Sequence, residues 1–287
     1  SACEKGGQWQ QALRMFRELL KSKLEPYVVS YSATISACEK GEQWQQALSL
    51  LREMWEAKLV PDIFSYSAGI SACEKSATWQ QAMLLLREVR EVKLEPNIIT
   101  FNAGISACEK SAQWEQSLSL LRAMRKVNLD PNIISYSAGI SACEKGGQWQ
   151  QALSLLREML GTHLAPTVIS CSAGVSACEK GGQWEQALSL IREMVEARLE
   201  LDIISCSAVI SACEKSGQWK QTLSLLRDEL DMMLEPDLTS YTVGIGACER
   251  GRQCHHAFSL LGELSHSSFL HVGALRDPTE RVYGGSA

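Results

Sequence analysis

One interval governs this sequence. Cys3, Cys38, Cys73, Cys108, Cys143, Cys178, Cys213 and Cys248 follow one another at steps of 35 residues, each between an Ala and a Glu. Trp9, Trp44, Trp79, Trp114, Trp149, Trp184 and Trp219 keep the same step, as do Pro26, Pro61, Pro96, Pro131 and Pro166, with Pro236 two steps further on. A fixed period of this size means that one supersecondary unit is written again and again. Each copy buries its apolar face against its neighbours, so length alone says nothing about domain number.

Numbering each copy from Val28, complete units run 28–62, 63–97, 98–132, 133–167, 168–202 and 203–237. Segment 1–27 carries only positions 9 to 35, which reads as a truncated repeat in a fragment of a longer protein. Residues 238–272 form a degenerate seventh repeat and 273–287 an aperiodic tail. Within a copy, apolar or small residues at Ile63, Tyr66, Ile70 and Cys73 step by three and four, as one face of a helix requires. Ser65 reads as a cap near its start, and Ser76-Ala77, Gly-Gly in other copies, as its end. Trp79, Ala82, Met83, Leu86 and Val89 mark a second helix, stopped before Pro96. No segment alternates as a strand does. The expectation is an all-α fold, an α-solenoid superhelix of antiparallel helix-turn-helix repeats.

Composition removes several function classes. Apolar residues are 45% and charged residues 21% of the chain, a globular balance. No run approaches the roughly 18 apolar residues of a membrane span, so no membrane partner is expected. A Cys recurring at one position of each copy, with no Cys-x-x-Cys pair, reads as a small apolar core residue rather than a metal ligand or disulfide framework. His255, His256, His266 and His271 gather beside Cys254, but their spacing fits no common zinc pattern. No nucleophile elbow, phosphate loop or nuclease carboxylate cluster occurs, so neither catalysis nor a cofactor is expected in this segment.

Extended ladders suit extended polymers, and the charges give a hint of which. Net charge is −5, which by itself does not point to nucleic acid. The cations are nevertheless in phase. Position 13 holds Lys5, Lys40, Lys75, Lys110, Lys145, Lys180, Lys215 and Arg250, and position 25 holds Arg in seven copies, Arg17 to Arg227. A cation per repeat can follow a phosphate backbone, because screening makes local charge matter more than the sum. The same residues also read as a solvated face, partly cancelled by the Glu before each Lys.

The 35-residue unit ends in Pro then Asp or Asn, and opens on an apolar pair, Ser or Thr, then an aromatic. Ser65-Tyr66-Ser67, Thr100-Phe101-Asn102 and the junctions at 61–62, 96–97, 131–132 and 236–237 show the pattern. It resembles the pentatricopeptide repeat family, in its P-type 35-residue form, from residue 1 to about 264. Tetratricopeptide repeats use 34 residues, a step never taken here.

The resemblance implies single-stranded RNA as partner, one base per repeat, chosen by positions 5 and 35. The implied pairs are Ser32 with Asp62, Ser67 with Asn97, Asn102 with Asn132, Ser137 with Thr167, Ser172 with Asp202, and Ser207 with Asp237, with Thr242 opening a seventh. Family pairing rules read these as G, A, C or U, an undetermined base, G and G. Position 2 resembles the family's base-sandwiching residue: Val29, Phe64, Ile99, Ile134, Ile169 and Ile204. The cations implied to meet the RNA backbone are Lys40, Lys75, Lys110, Lys145, Lys180, Lys215 and Arg250. An organellar setting, chloroplast ahead of mitochondrion, and a role in RNA processing, stability or translation are implied with them. Two alternatives stand beside this: a protein-binding scaffold, with partners on the solenoid surface, and the RNA-binding arm of a longer processing enzyme. Asp62, Asn97, Asn132, Thr167, Asp202 and Asp237 also belong to the helix-capping set, so capping is a second reading of each.

Overall fold

A computed structural model describes residues 8–21, 27–197, 199, 203–231, 238–253 and 255–262 of the chain. Two compact units make it up, Ser1–Ala177 and Cys178–Ala287. In the first, α1 (Trp9–Lys21) is followed by the helix pairs α2 (Val28–Lys40) and α3 (Trp44–Glu56), α4 (Ile63–Lys75) and α5 (Trp79–Glu91), α6 (Ile98–Lys110) and α7 (Trp114–Lys126), and α8 (Ile133–Lys145) and α9 (Trp149–Gly161). The unit boundary falls within α10 (Val168–Lys180). The second unit continues with α11 (Trp184–Glu196), α12 (Ile203–Lys215), α13 (Trp219–Asp231) and α14 (Leu238–Arg250), then a helix over 255–262. Each unit is an all-α solenoid of helix pairs. Among the described residues there is no strand, and no helix is long and apolar enough to cross a membrane.

Packing is asymmetric between the two helices of a repeat. In the first unit, α2, α4, α6 and α8 stack directly on one another, and each also packs on the second helix of its own repeat and of the one before. The backbones of successive second helices, α3, α5 and α7, stay more than 8 Å apart, leaving grooves between them. Position 7 of the first helix faces the second helix of the preceding repeat, and in three of these repeats it is glycine. Cβ atoms added at Gly69, Gly104 and Gly139 would lie 2.6–2.8 Å from the leucine Cδ1 of the preceding repeat's second helix. Glycine there costs roughly 0.5–1 kcal/mol of helix propensity, which the close approach offsets. Tyr66, Ile70 and Cys73 of α4, with Ala82 and Val89 of α5, are fully buried, as the three-and-four spacing predicts. Cys171 and Cys206, standing where other copies hold an aromatic, are buried too.

Helix ends repeat as faithfully as the cores. After α2, the Gln43 N–H donates to Cys38 O and the Glu42 N–H to Glu39 O, a Schellman termination. It places position 15 in the left-handed region: φ is 59° at Glu42, 53° at Ala77, 54° at Ala112 and 68° at Gly147. Position 14 completes the turn in two ways. Gly41 and Gly146 leave room for the Trp9 and Trp114 rings of the preceding repeat, which an added Cβ would overlap. Ser76 and Ser111 instead donate to backbone carbonyls of the preceding repeat, Glu42 O and Ala77 O.

At the other end the structure corrects one expectation. Ser65 is not the cap of α4. Asp62 is, accepting from the Ser65 N–H at 2.8 Å, and Ser65 lies three residues inside. The reason is that Asp62 is itself extended, φ −87° and ψ 172°, immediately ahead of the helix, which places its carboxylate within reach of the free Ser65 N–H.

All cysteines among the described residues for which bonding is defined are free and buried. Burial pushes the thiols of Cys38, Cys73, Cys178 and Cys213 up to about 11, and those of Cys108 and Cys143 up to about 12.

Two outcomes are expected. A left-handed residue with a Cβ is strained, so Ala77→Gly and Ala112→Gly should each raise unfolding free energy by about 0.5–1 kcal/mol. Gly147→Ala, whose Cβ meets nothing within 4 Å, should lower it by a similar amount; urea midpoints decide. Raised thiol pKa values act in one direction. Below the ordinary thiol pKa near 9 both states keep their protons and stability is unaffected. Above it the unfolded chain ionises first, so stability should fall as pH rises through 11. A Cys108→Ala, Cys143→Ala variant should show a shallower fall in denaturation midpoints between pH 8.5 and 10.5.

Candidate nucleic-acid interface

The first helix of each repeat buries positions 4, 7, 8 and 11 and leaves another strip open. At 100° per residue, positions 2 and 13 differ by about 20° in azimuth and by about 16 Å along the axis. Apolar group and cation therefore share one face, with position 5 between them. The position 2 residues are large, apolar and out in solvent. Val29, Phe64, Ile99, Ile134 and Ile169 are 59–76% exposed, and Ile204 in the second unit is 68% exposed. One exposed apolar side chain per turn of the stack serves no core. Such a row marks a binding surface.

Positions 5 and 35 do come together, through position 3 of the following repeat, which the sequence offered only as a helix cap and as part of the repeat pattern. Ser32 Oγ lies 2.7 Å from Ser65 Oγ, and Ser65 Oγ donates to Asp62 Oδ1 at 2.7 Å. One repeat on, Ser67 Oγ lies 3.2 Å from Thr100 Oγ1, which donates to Asn97 Oδ1 at 2.6 Å. In the next, Asn102 Nδ2 donates to Asn132 Oδ1 at 3.3 Å, while Ser135 Oγ, with one hydrogen to give, lies 2.5 Å from Asn102 Oδ1 and 3.0 Å from Asn132 Oδ1. The linking hydroxyl is always position 3 of the following repeat, and Ser65, Thr100 and Ser135 are fully buried. Its signal was a Ser or Thr in every copy at one place, hidden among the serines of positions 5 and 9.

Position 35 caps the following first helix. Asn97 and Asn132 form capping boxes with Thr100 and Ser135, and Thr167 Oγ1 accepts from the Ser170 N–H at 3.2 Å. Capping fixes which atom is left over. Asp62 caps through Oδ1, leaving Oδ2 as an acceptor. Asn97 spends Oδ1 on the Thr100 N–H and hydroxyl, so its outward atoms are the two Nδ2 hydrogens, a donor. Ser172 Oγ donates to Val168 O, Ser137 and Ser207 are half-buried, and Thr242 is exposed. Asp202 and Asp237 lie outside the described residues, as do Cys254, His266 and His271.

The cation row is paired with an anion row. Lys75 Nζ meets Glu39 Oε1 at 3.2 Å, Lys110 meets Glu74 at 2.9 Å and Lys145 meets Glu109 at 2.7 Å. In the second unit Lys215 meets Glu179 at 2.8 Å, and Arg250 meets Glu214 at 3.0 Å. Each cation bonds the Glu at position 12 of the preceding repeat rather than the one beside it in sequence. Lys40 and Lys180 close their helices at the same place. An ammonium has three donors, so a bridged Lys keeps hydrogens for an anion approaching from solvent.

Family models of the pentatricopeptide repeat match along the chain: a pentatricopeptide repeat domain over 47–111, a PPR repeat family over 96–145, and PPR repeats over 1–24, 29–59, 134–161 and 175–199. Comparison with curated proteins gives no match. Among solved structures, the pentatricopeptide repeat protein PPR10 from maize is 17% identical with a TM-score of 0.58, over 92% of this chain and 42% of that one. This chain thus spans less than half of that protein's length. The PPR domain of Arabidopsis thaliana protein-only RNase P 1, solved with tRNA, is 14% identical with a TM-score of 0.54, over 71% of this chain and 98% of that domain. Nuclear proteinaceous RNase P 2 from A. thaliana is 14% identical with a TM-score of 0.53, over 57% and 37%. These likenesses are of fold.

The cap geometry makes a prediction that involves no ligand. Asn97→Ala should cost about 1 kcal/mol of unfolding free energy, while Asn97→Asp, which keeps the accepting oxygen, should change it by a few tenths at most. Equal losses in chemical denaturation would show that the cap of α6 carries no stability.

Proposed function

The chain belongs to the pentatricopeptide repeat family, and on that footing we propose that its first-helix strip binds single-stranded RNA with one base to a repeat. The observation that carries the reading is the rung itself: an exposed apolar side chain, an oriented polar pair and a cation on one face, renewed every 35 residues. Bases offer flat apolar faces, so the position 2 side chains of successive repeats would enclose each base. The base edge would then meet positions 5 and 35. The outward acceptor of Asp62 suits the N–H groups of guanine, and the outward donor of Asn97 suits the ring nitrogen of adenine. The Asn102 and Asn132 pair reads as a pyrimidine. This segment acts as a binder without catalysis of its own. An organellar role in RNA processing, stability or translation, chloroplast first, rests on the family alone.

The Glu row sets how such binding responds to salt. Seven position 13 cations that each neutralised one phosphate would release the strand's condensed counterions with a log–log slope near −5, at about 0.7 per phosphate. A cation already paired with a Glu neutralises its phosphate less fully and so releases less of the strand's condensed counterion, and the slope should be shallower than that. Each Glu→Gln change at Glu39, Glu74 or Glu109 should raise RNA affinity and steepen the slope by about 0.7.

Selection from a randomised RNA pool tests the reading. A purine-rich consensus is expected, and Asp62→Asn should move one position from guanine to adenine by roughly 1–3 kcal/mol. Failure to retain any RNA near physiological ionic strength would leave the protein-binding scaffold as the better account. An unchanged consensus would sink the pairing of Ser32 with Asp62.

A further inference from the structure

The grooves between second helices are not alike in what lines them. Between α3 and α5 lies a cavity of about 460 Å³, lined by Arg52, Trp55, Tyr66, Leu84, Glu88 and Glu91 among others. Two of these depart from the repeat. Trp55 is the one tryptophan out of phase with the 35-residue step, and Leu84 stands where every other complete copy has Ser. Both are large apolar groups left substantially exposed, 43% and 48%. At the floor, the Tyr66 hydroxyl is buried with no hydrogen-bond partner. The Trp55 indole is near enough to influence the phenol but is not in hydrogen-bond geometry with it.

The chain contains a filled version of the same groove, displaced by 70 residues. There Arg125 replaces Trp55, Tyr136 replaces Tyr66 and Glu158 replaces Glu88. Arg125 Nη2 donates to Tyr136 Oη at 3.2 Å and pairs with Glu158, and Tyr136 Oη donates to Glu158 Oε1 at 3.3 Å. In the groove between these two, Arg90 sits over the Phe101 ring, 6.0 Å from its centroid. In the next two grooves along the chain, then, a guanidinium of the protein itself stands at the place where Trp55 supplies none. The charge count agrees. The Trp55 groove has Arg52 against Glu88 and Glu91, an excess of one carboxylate. Its filled counterpart has Arg122 and Arg125 against Glu158, with Gly161 in place of Glu91. The Glu88 carboxyl is held above the usual carboxylate range by desolvation and then by Glu91, with Arg52 opposing.

We propose that the groove between α3 and α5 is a docking site for an arginine side chain of a partner polypeptide. The guanidinium would lie where that of Arg125 lies in the filled groove, donating to Glu88 and to the Tyr66 hydroxyl. Its planar face would stack on the Trp55 ring and its methylene stem would cover Leu84. Only a flat fork of donors satisfies a carboxylate and a phenol while keeping a face for an indole, so arginine fits where lysine does not. RNA does not suit the groove, whose lining carries an excess of carboxylate.

A random-peptide phage library panned on the folded chain tests this. Peptides bearing an arginine flanked by apolar residues should be enriched, and synthetic versions should lose about tenfold or more in affinity when that arginine becomes citrulline or lysine. Trp55→Arg should fill the groove from within, as Arg125 does, and abolish peptide binding. Glu88→Gln, which keeps the shape, should weaken it at least about tenfold and covers the case in which the first variant misfolds. RNA affinity should be the same in all three proteins. No arginine in the enriched peptides, or equal peptide binding by Glu88→Gln, overturns the proposal. So does a loss of RNA binding in Trp55→Arg, or self-association of the chain that this substitution abolishes, since each names a different occupant.

Discussion

Each first helix must fit closely against the second helix of the repeat before it, and its ends must be satisfied by the neighbour. Gly69, Gly104 and Gly139 meet the first condition in three repeats, letting second-helix leucines come within 2.6–2.8 Å of where a Cβ would stand. The second is met at both ends of the helix by the adjacent copy. Position 35 of one repeat caps the next, and the closing Lys reaches back to the preceding Glu. Helix stacking, helix capping and ion pairing are therefore one interface described three times. Close approach on this side leaves the second helices apart, and the grooves follow from that.

Capping and base reading looked like rival explanations of Asp62, Asn97 and Asn132. The hydrogen bonds make them parts of a single arrangement. Anchoring one oxygen to a helix start holds the side chain still and decides whether an acceptor or a donor remains outside. A side chain that did not cap would be free to rotate, and an amide could then offer either edge. Rigidity supplied by folding is in this sense what would allow two chemically similar residues to select different bases.

Much of the fold is legible because the period is strict. Cys73, Ile70 and Tyr66 could be assigned to a core, and Ser76-Ala77 to a helix end, from spacing alone. Three features were not. The position 3 hydroxyl hides in a serine-rich stretch, and its importance lies in contacts between residues 33 apart. Lys75 follows Glu74 directly, yet bonds Glu39, because successive residues on a helix point about 100° apart while the neighbouring repeat brings position 12 alongside. Trp55 could be recognised as out of phase, but not that it stands where Arg90 and Arg125 carry a guanidinium in the next two copies. Periodicity reports what copies share, and this groove is shaped by a position at which they differ.

Caps and ion pairs that always run between a residue and its equivalent's neighbour have an evolutionary corollary. If the stretch between two equivalent points, such as Ala72 and Ala107, were excised or doubled by recombination, the new junction would find every donor facing its usual acceptor. Lineages carrying such a module can lengthen or shorten it in whole steps without first repairing an interface. The spelling of the array is then free to drift at positions 5 and 35 while its grammar stays fixed.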